Sequence, residues 1–109
     1  KYRYCLDLLI TTSGQKVEVL HIVAGGSQND LLNQMTANAV QRPVVAGPVE
    51  ATALGNALVQ LIQLGYIKDM AEARRILASS ADFKRFEPKS VPVWENRFQQ
   101  FKEKLFQWE

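Results

Sequence analysis

Residues 16–46 read KVEVLHIVAGGSQNDLLNQMTANAVQRPVVA and contain the clearest signals of the fold class. Its first part, Lys16 to Ala24, begins with alternating valines and becomes nearly continuous in apolar residues, which is typical of a strand buried on both faces. Such strands usually belong to parallel sheets that helices cover. The adjacent glycines Gly25 and Gly26 end the run, at the point where the strand gives way to a helix.

The helix after the glycines begins among Ser27, Asn29 and Asp30, which are all N-cap candidates. Pro43 lies just past its end, and Val44 to Ala46 follows as a short apolar strand. A strand, a helix and a strand in succession predict a right-handed parallel crossover, and therefore an α/β fold. The apolar face of the helix is predicted to consist of Leu31, Leu32, Met35, Ala39 and Val40.

Two apolar helices flank this crossover. The first ends near residues 11–14, which are poor helix formers, and the apolar positions that recur along it at helical spacing are Tyr2, Cys5, Leu6, Leu9 and Ile10. The second, Glu50 to Leu64, is so apolar that we expect cover on most of its faces. Gly55 weakens a helix interior by about 1 kcal/mol relative to alanine. We therefore expect another backbone or a ligand close to Gly55, most simply the sheet.

The last third of the chain holds two more helices. Asp69 and Glu72 predict a capping box for the helix MAEARRILASS. Residues 79–92 contain two prolines and show no sustained period, so we expect irregular structure there. The final helix carries an aromatic stripe that is more typical of a packing surface than of a base-stacking platform: Val91, Trp94, Phe98, Phe101, Leu105 and Trp108.

The composition is that of one globular domain, with 109 residues of which 47% are hydrophobic and 22% charged. The net charge is +2 and the basic residues are scattered apart from Lys84 and Arg85, so we expect no nucleic acid among the partners. No apolar run is long enough to span a bilayer, so we expect no membrane partner either. The single cysteine, Cys5, cannot form an internal disulfide, and this favours a cytoplasmic location.

The number of strands is small for a free-standing parallel sheet, whose edges need pairing or cover. A helical pattern is already running at Tyr2. We therefore expect residues 1–109 to form a single partial domain.

Metal and nucleophilic chemistry find little support in the sequence. His21 is the only histidine and has no cysteine or histidine partner at a ligand spacing, so we expect a structural role for it. Cys5 lies in an amphipathic helix and has only Arg3 as a nearby basic residue that could activate its thiol. We therefore expect Cys5 to pack in the core. We predict no catalytic residue and no metal ligand in this chain.

The glycine pair is the best candidate site. Backbone amides at the first turn of a helix lack intrahelical partners, the helix dipole adds partial positive charge, and glycines let a ligand lie against the main chain. Gly25 and Gly26 therefore suit an anion or a nucleotide, although generic strand-to-helix turns also use glycine. Asn29 either caps the helix or turns its amide toward a base or ribose, and both roles stay open.

Residues 23–65, VAGGSQNDLLNQMTANAVQRPVVAGPVEATALGNALVQLIQLG, resemble the nucleotide-domain segment of the FGGY carbohydrate kinases. The shared features are a Gly-Gly turn, a following polar residue, a Gln-containing helix, a Pro-Val strand and a Glu-Ala-x-x-Leu-Gly helix. The resemblance covers Val17 to about Gly65, and Phe86 to Pro88 fits the tail of the family less specifically.

The resemblance implies the C-terminal portion of a ribonuclease-H-like (actin/hexokinase-like) domain, helix-rich with a short parallel sheet. It also implies ATP-dependent transfer of a phosphoryl group to a ketose hydroxyl, with Mg²⁺ offsetting phosphate charge in the intact enzyme. ATP and ADP are then partners, and the ketose binds mainly to an N-terminal domain that this chain lacks.

By the same resemblance, Gly25 and Gly26 match the family turn beside the adenosine and phosphates. Asn29 matches the polar position that contacts the nucleoside, and Gln28 lies next to it. The sequence departs from the pattern at Ala24, where a third glycine is common, and at Asn38, where the family often has aspartate. By the same resemblance, the side chain of Ala24 slightly narrows the space through which the phosphates would approach the backbone.

Four aspartates, Asp7, Asp30, Asp69 and Asp82, do not match the catalytic base of the family, so we expect the fragment alone to be inactive. The sugar is left open, since kinases of xylulose, fuculose and glycerol share the pattern. The residues are also compatible with a non-catalytic nucleotide-binding module and with an interaction module that uses the aromatic stripe.

Overall fold

The computed structural model describes residues 1–106, which form five α-helices and a sheet of three short strands. The elements follow one another as α1 (Tyr2–Ser13), β1 (Leu20–Ile22), α2 (Asp30–Val40), β2 (Val44–Ala46), α3 (Ala51–Gln63), α4 (Met70–Ser80), β3 (Lys84–Phe86) and α5 (Val91–Phe106). A 3₁₀ segment, Ala24–Gln28, connects β1 to α2 and is called the glycine turn below.

The sheet has the order β1-β2-β3. Strands β1 and β2 are parallel, with Leu20 opposite Val44, so the predicted parallel pairing of the two strands is confirmed. Strand β3 pairs antiparallel to β2, with Phe86 opposite Val44, and this makes the sheet mixed. The expectation of irregular structure over residues 79–92 was wrong at β3, because three residues are too few to show a period and the pairing comes from β2.

Strand β1 is shorter and more exposed than its sequence predicts. The expected strand, Lys16 to Ala24, contains only Leu20–Ile22 as regular strand. Leu20 and Ile22 are half-buried while His21 is exposed, so burial on both faces was wrong. Among the described residues β1 pairs only with β2, and α1 and α2 cover one face of the sheet.

The core lies between α1, α2 and the sheet, and its fully packed members are Leu6, Ala37, Val40 and Val44. Helix α2 turns a different face inward from the one expected. Leu31, Leu32 and Met35 are exposed, whereas Val40 is buried together with Asn33, Thr36 and Ala37. A polar residue that finds hydrogen-bond partners can be buried as fully as an apolar one, and the sequence pattern does not reveal those partners.

Helix α1 ends as predicted at Gly14, which adopts φ 67° and donates its backbone N–H to the carbonyl of Ile10. Leu6 is buried, but Cys5 is exposed, so the expectation that Cys5 packs in the core was wrong. Tyr2 and Leu9 are exposed as well. The apolar face of α1 is therefore wider than the surface of α2 and the sheet that packs against it.

Helix α3 packs chiefly against α4 and has no buried residue. The expected cover on most of its faces was therefore wrong for the described part of the chain, and so was the sheet contact at Gly55, where an added Cβ would meet nothing within 4 Å. The radius of gyration is 17.2 Å, against about 13 Å for a compact domain of this length. The molecule is elongated, with extents of 55 × 28 × 22 Å.

Helix α4 begins with the predicted cap. Asp69 Oδ1 accepts from the backbone N–H of Glu72 at 2.9 Å. The side chain of Glu72 accepts in return from the N–H of Lys68, at 2.8 Å, one residue earlier than in the standard capping box.

Helix α5 lies against α2, and polar contacts with α1 and α2 centre on Glu95. Its described aromatic residues, Trp94, Phe98 and Phe101, are half-buried, which agrees with a packing surface, while Trp108 lies outside the described residues. The Arg3 guanidinium stacks over Phe98, with 4.1 Å from Cζ to the ring centroid. Its Nη1 lies 2.8 Å from Glu95 Oε2.

Hydrogen bonds from Gln99 and Gln41, together with the ion pair to Arg3, hold the pKa of Glu95 below its ordinary value of 4.5. A lowered pKa contributes stability that is present above the unfolded value and is lost as the pH falls through the folded value. We expect Glu95→Gln to lower the Tm at about pH 7 and to leave it nearly unchanged at about pH 3. Thermal unfolding at both pH values checks this, with the exposed Glu103→Gln as control. A difference between wild type and Glu95→Gln that persists at the acidic pH would contradict the assignment.

Candidate functional site

The glycine turn lies at the carboxyl end of β1, directly before α2. Gly25 and Gly26 are exposed, and neither has a positive φ. A Cβ added at Gly25 would meet nothing within 4 Å, and one at Gly26 would meet Ile22 Cγ2 at an ordinary 3.7 Å. The fold therefore needs glycine at neither position, and the two residues leave a bare strip of backbone facing open space.

Ala24, the first residue of the turn, adopts φ 64°. This left-handed conformation strains residues with a side chain by about 1–2 kcal/mol. The resembling family commonly has a third glycine at the position of Ala24. This is the one position in the turn whose backbone conformation favours glycine.

We expect Ala24→Gly to stabilise the protein by about 0.5–1 kcal/mol, because relief of the left-handed strain exceeds the added entropy of the unfolded chain. The Tm measures the effect. Ala37→Gly is the matched control, since Ala37 is buried inside α2 and the same substitution should lower the Tm there. A lower Tm for Ala24→Gly would show that the strain is not relieved.

Asn29 caps α2, with its Oδ1 accepting from the backbone N–H of Leu32 at 2.9 Å. Its Nδ2 makes no hydrogen bond with the residues that the structure describes. The two roles considered for Asn29 are thus compatible, because the oxygen serves the helix while the amide N–H₂ can still donate to a ligand.

A cavity of about 450 Å³ opens beside Gln28, between the glycine turn, the end of β2, α3 and the α4–β3 connection. Its volume is in the range of small-molecule sites. The residues that line it are Ser27, Gln28, Ala46, Gly47, Pro48, Val49, Leu54, Ser80, Ala81, Asp82 and Lys84. Gly47 is tightly packed, since an added Cβ would lie 3.1 Å from Val23 Cγ1 and that side chain would have to shift by a few tenths of an ångström.

The four expected site residues lie in one turn and its cap, but they do not line one cavity. Gln28 faces the larger cavity, and Gly26 lines a smaller one of about 180 Å³ on the side of His21 and Thr36. Gly25 and Asn29 are exposed at the surface between β1 and α2.

Two residues beside the turn were missed by the sequence reasoning. Lys84 of β3 forms an ion pair with Asp30, the first residue of α2, with Nζ–O distances of 2.9 and 3.1 Å. Asn33 is fully buried and donates from Nδ2 to the carbonyl oxygen of Ser27 at 2.9 Å. The helical spacing of Asn33, Ala37 and Val40 is a signal that could have placed Asn33 on the buried face.

Between residues 1 and 106, no group of three His, Cys, Asp or Glu side chains is placed to hold a metal ion. No helix in that range is long and apolar enough to cross a membrane.

These observations define the class of protein as a helix-rich α/β domain with a parallel crossover and a glycine turn at a helix N-terminus. Residues 1–64 match the C-terminal domain of the FGGY family of carbohydrate kinases. The chain belongs to this family, and the resemblance seen in the sequence is confirmed.

The curated relatives are similar over most of the chain. A rhamnulokinase of Bacteroides thetaiotaomicron is 43% identical over 102 residues, which is 94% of this chain and 21% of the relative. A rhamnulokinase of Bacillus subtilis is 42% identical over 83% of this chain and 19% of its own length. One of Pectobacterium carotovorum is 42% identical over 78% of this chain and 17% of the relative. The chain therefore spans about a fifth of the length of the curated relatives that it matches.

Proposed function

We propose that residues 1–109 form a partial domain, the ATP-contacting C-terminal portion of a cytoplasmic sugar kinase. The intact protein transfers the γ-phosphoryl group of ATP to a ketose hydroxyl, converting L-rhamnulose to L-rhamnulose 1-phosphate. The sugar is suggested by the relatives, since those named above carry the name rhamnulokinase at 42–43% identity. The cytoplasmic location is suggested by the single cysteine of the chain.

The observation that carries this proposal is the bare backbone at Gly25 and Gly26. Both glycines face space that a side chain could fill without a clash and without a positive φ, so packing does not explain them. Helix α2 has 11 residues, and its first-turn amides and dipole favour an anionic group beside the turn. A nucleotide that lies flat on the main chain accounts for both glycines.

Each residue of the proposed site has a distinct task. Gly25 and Gly26 form the wall beside the adenosine and phosphates, and Asn29 Nδ2 donates to the ribose or base. Gln28 extends the site toward the cavity of about 450 Å³. Lys84 brings a positive charge to the rim of that cavity, although Asp30 partly neutralises it.

The catalytic base belongs to a part of the enzyme outside this chain. By the family resemblance, none of the four aspartates matches that base. Asp7 pairs with Arg3, Asp30 pairs with Lys84, and Asp69 caps α4, while Asp82 lines the cavity. The described residues offer no group of three His, Cys, Asp or Glu side chains that could hold a metal ion, and we assign this chain no step that uses Mg²⁺. Its contribution is to bind and orient the nucleotide.

The intact protein, assayed with ATP, Mg²⁺ and L-rhamnulose, tests the proposal by ADP release and by identification of the phosphorylated sugar. We expect turnover with L-rhamnulose that exceeds turnover with xylulose, fuculose and glycerol. Turnover with one of the latter alone would overturn the sugar assignment. Binding of ATP without turnover of any sugar would favour a non-catalytic nucleotide-binding module. The 109-residue chain by itself is expected to give no turnover.

A further inference from the structure

The amide of Asn33 lies beneath the glycine turn and is shielded completely from solvent. It donates from Nδ2 to the carbonyl oxygen of Ser27 at 2.9 Å. Its Oδ1 is buried and has no hydrogen-bond partner among the residues that the structure describes. An unpaired buried acceptor destabilises a protein by about 1–3 kcal/mol, so an apolar residue would serve packing better at this position.

A second hydrogen bond continues from Asn33 through the turn. Ser27 is itself buried, and its hydroxyl donates to the carbonyl oxygen of Ala24 at 2.7 Å. Together the two bonds fix the first and fourth residues of the turn, with Gly25 and Gly26 between them. They also hold Ala24 in its left-handed conformation, which persists only where the surroundings determine it.

Two adjacent glycines would otherwise give this segment the largest conformational freedom in the chain. A ligand that binds a flexible segment must order it, and this lowers affinity, whereas a segment ordered on folding presents its amides already aligned. The two hydrogen bonds that link Asn33, Ser27 and Ala24 are called the relay below. The relay therefore stabilises the shape of the surface that the nucleotide is proposed to contact.

We propose that Asn33 is a positioning residue for the nucleotide: it does not touch the ligand, and it sets the affinity for ATP by holding the Gly25–Gly26 backbone rigid through Ser27. This inference rests on the proposed function, because it presumes that the nucleotide lies on the glycine turn.

Asn33→Asp in the intact protein is the sharpest test, because the substitution keeps the shape of the side chain and removes the donor. At about pH 8 we expect the KM for ATP to rise about tenfold, while kcat and the KM for the ketose stay within about twofold. The introduced carboxyl is buried and faces the Ser27 carbonyl, so its pKa is raised and it donates to that carbonyl when protonated. Lowering the pH to about 6 should therefore bring the KM for ATP back toward that of wild type.

Titratable groups near the relay need a control in the pH series. Tyr2 and His21 line the same small cavity as Asn33, and the wild type measured at each pH corrects for them and for the ATP phosphates. A purely structural loss would not recover at the lower pH, whereas restored donation to the Ser27 carbonyl does.

Ser27→Ala provides a second, uncharged variant in case Asn33→Asp fails to fold. It removes the bond to the Ala24 carbonyl, and we expect the KM for ATP to rise about threefold. Thr36→Val is the matched control, since Thr36 is buried on the same face of α2 but its hydroxyl donates to the carbonyl of Leu32 within the helix and not to the turn. Its KM for ATP should be unchanged.

An unchanged KM for ATP in Ser27→Ala and in folded Asn33→Asp would overturn the positioning inference, and so would an equal rise in Thr36→Val. Gly25→Val separates this failure from that of the proposed function. If Gly25→Val raises the KM for ATP and the relay variants do not, only the inference about Asn33 fails. If Gly25→Val has no effect either, the nucleotide does not lie on this turn and both proposals fail.

Discussion

Gly25→Val in the intact protein is expected to raise the KM for ATP by about 100-fold, which corresponds to a loss of about 3 kcal/mol of binding free energy. The branched side chain would stand in the open space in front of the turn, where the nucleotide is proposed to lie. We expect the fold to accept the substitution, because the added Cβ meets no atom within 4 Å apart from the adjacent residues and the φ of Gly25 is not positive. The Tm should therefore change little. Gly26→Val should act in the same direction.

Gly65→Val is the control with the opposite pattern. Gly65 has φ 78° beyond the end of α3, a backbone conformation that valine adopts only with strain. We expect this variant to lower the Tm and to leave the KM for ATP unchanged. If Gly25→Val binds ATP as well as wild type in an isothermal titration, the glycine turn is not the nucleotide site.

Val44→Asp is expected to have the largest effect on stability. Val44 has no exposed surface and joins β2 to the core formed by Leu6, Ala37 and Val40. A carboxylate there would be buried without a partner, and such uncompensated charges destabilise proteins by about 3–5 kcal/mol. We expect a large loss of soluble protein and a much lower Tm for what remains, measured by thermal unfolding.

The neighbouring residue supplies the control for this substitution. Val45 lies on the opposite face of the same strand and is half-buried, so Val45→Asp introduces the same charge at a position that water reaches. Its Tm should fall less. Equal losses for the two variants would show that the core is not confined to the α1–α2 side of the sheet.

The prediction of the crossover succeeded because its signals are local. The glycines, the N-cap at Asn29 and the apolar run of β2 all lie within residues 16–46, and the family resemblance rests on this stretch together with residues 47–65. The helix end at Gly14 and the N-cap at Asp69 were equally predictable from the sequence. At these three helix limits the deciding hydrogen bond spans only a few residues, so the sequence contains both partners close together.

The failures share a different cause. Cys5 and the apolar face of α3 were expected to be covered, but apolar character states only what a helix is able to bury, and the cover has to come from other elements. For α3 the described residues supply α4 as the main cover. The inward face of α2 was misjudged for a related reason, since Asn33 is buried through a bond to Ser27 that becomes possible only when the turn folds back over the helix.

Sequence alone was thus sufficient to predict the order of the helices and of β1 and β2, the helix limits at Gly14, Asn29 and Asp69, and the family. It also supplied the candidate site residues Gly25, Gly26, Gln28 and Asn29. The tertiary structure decided which faces are buried, that β3 joins the sheet, and which side chains support the glycine turn. Lys84 and Asp30 are 54 residues apart, and nothing in the sequence indicates that they form an ion pair. Hydrogen bonds within a turn depend on neighbours along the chain, whereas burial and ion pairing depend on which distant segments the fold brings into contact.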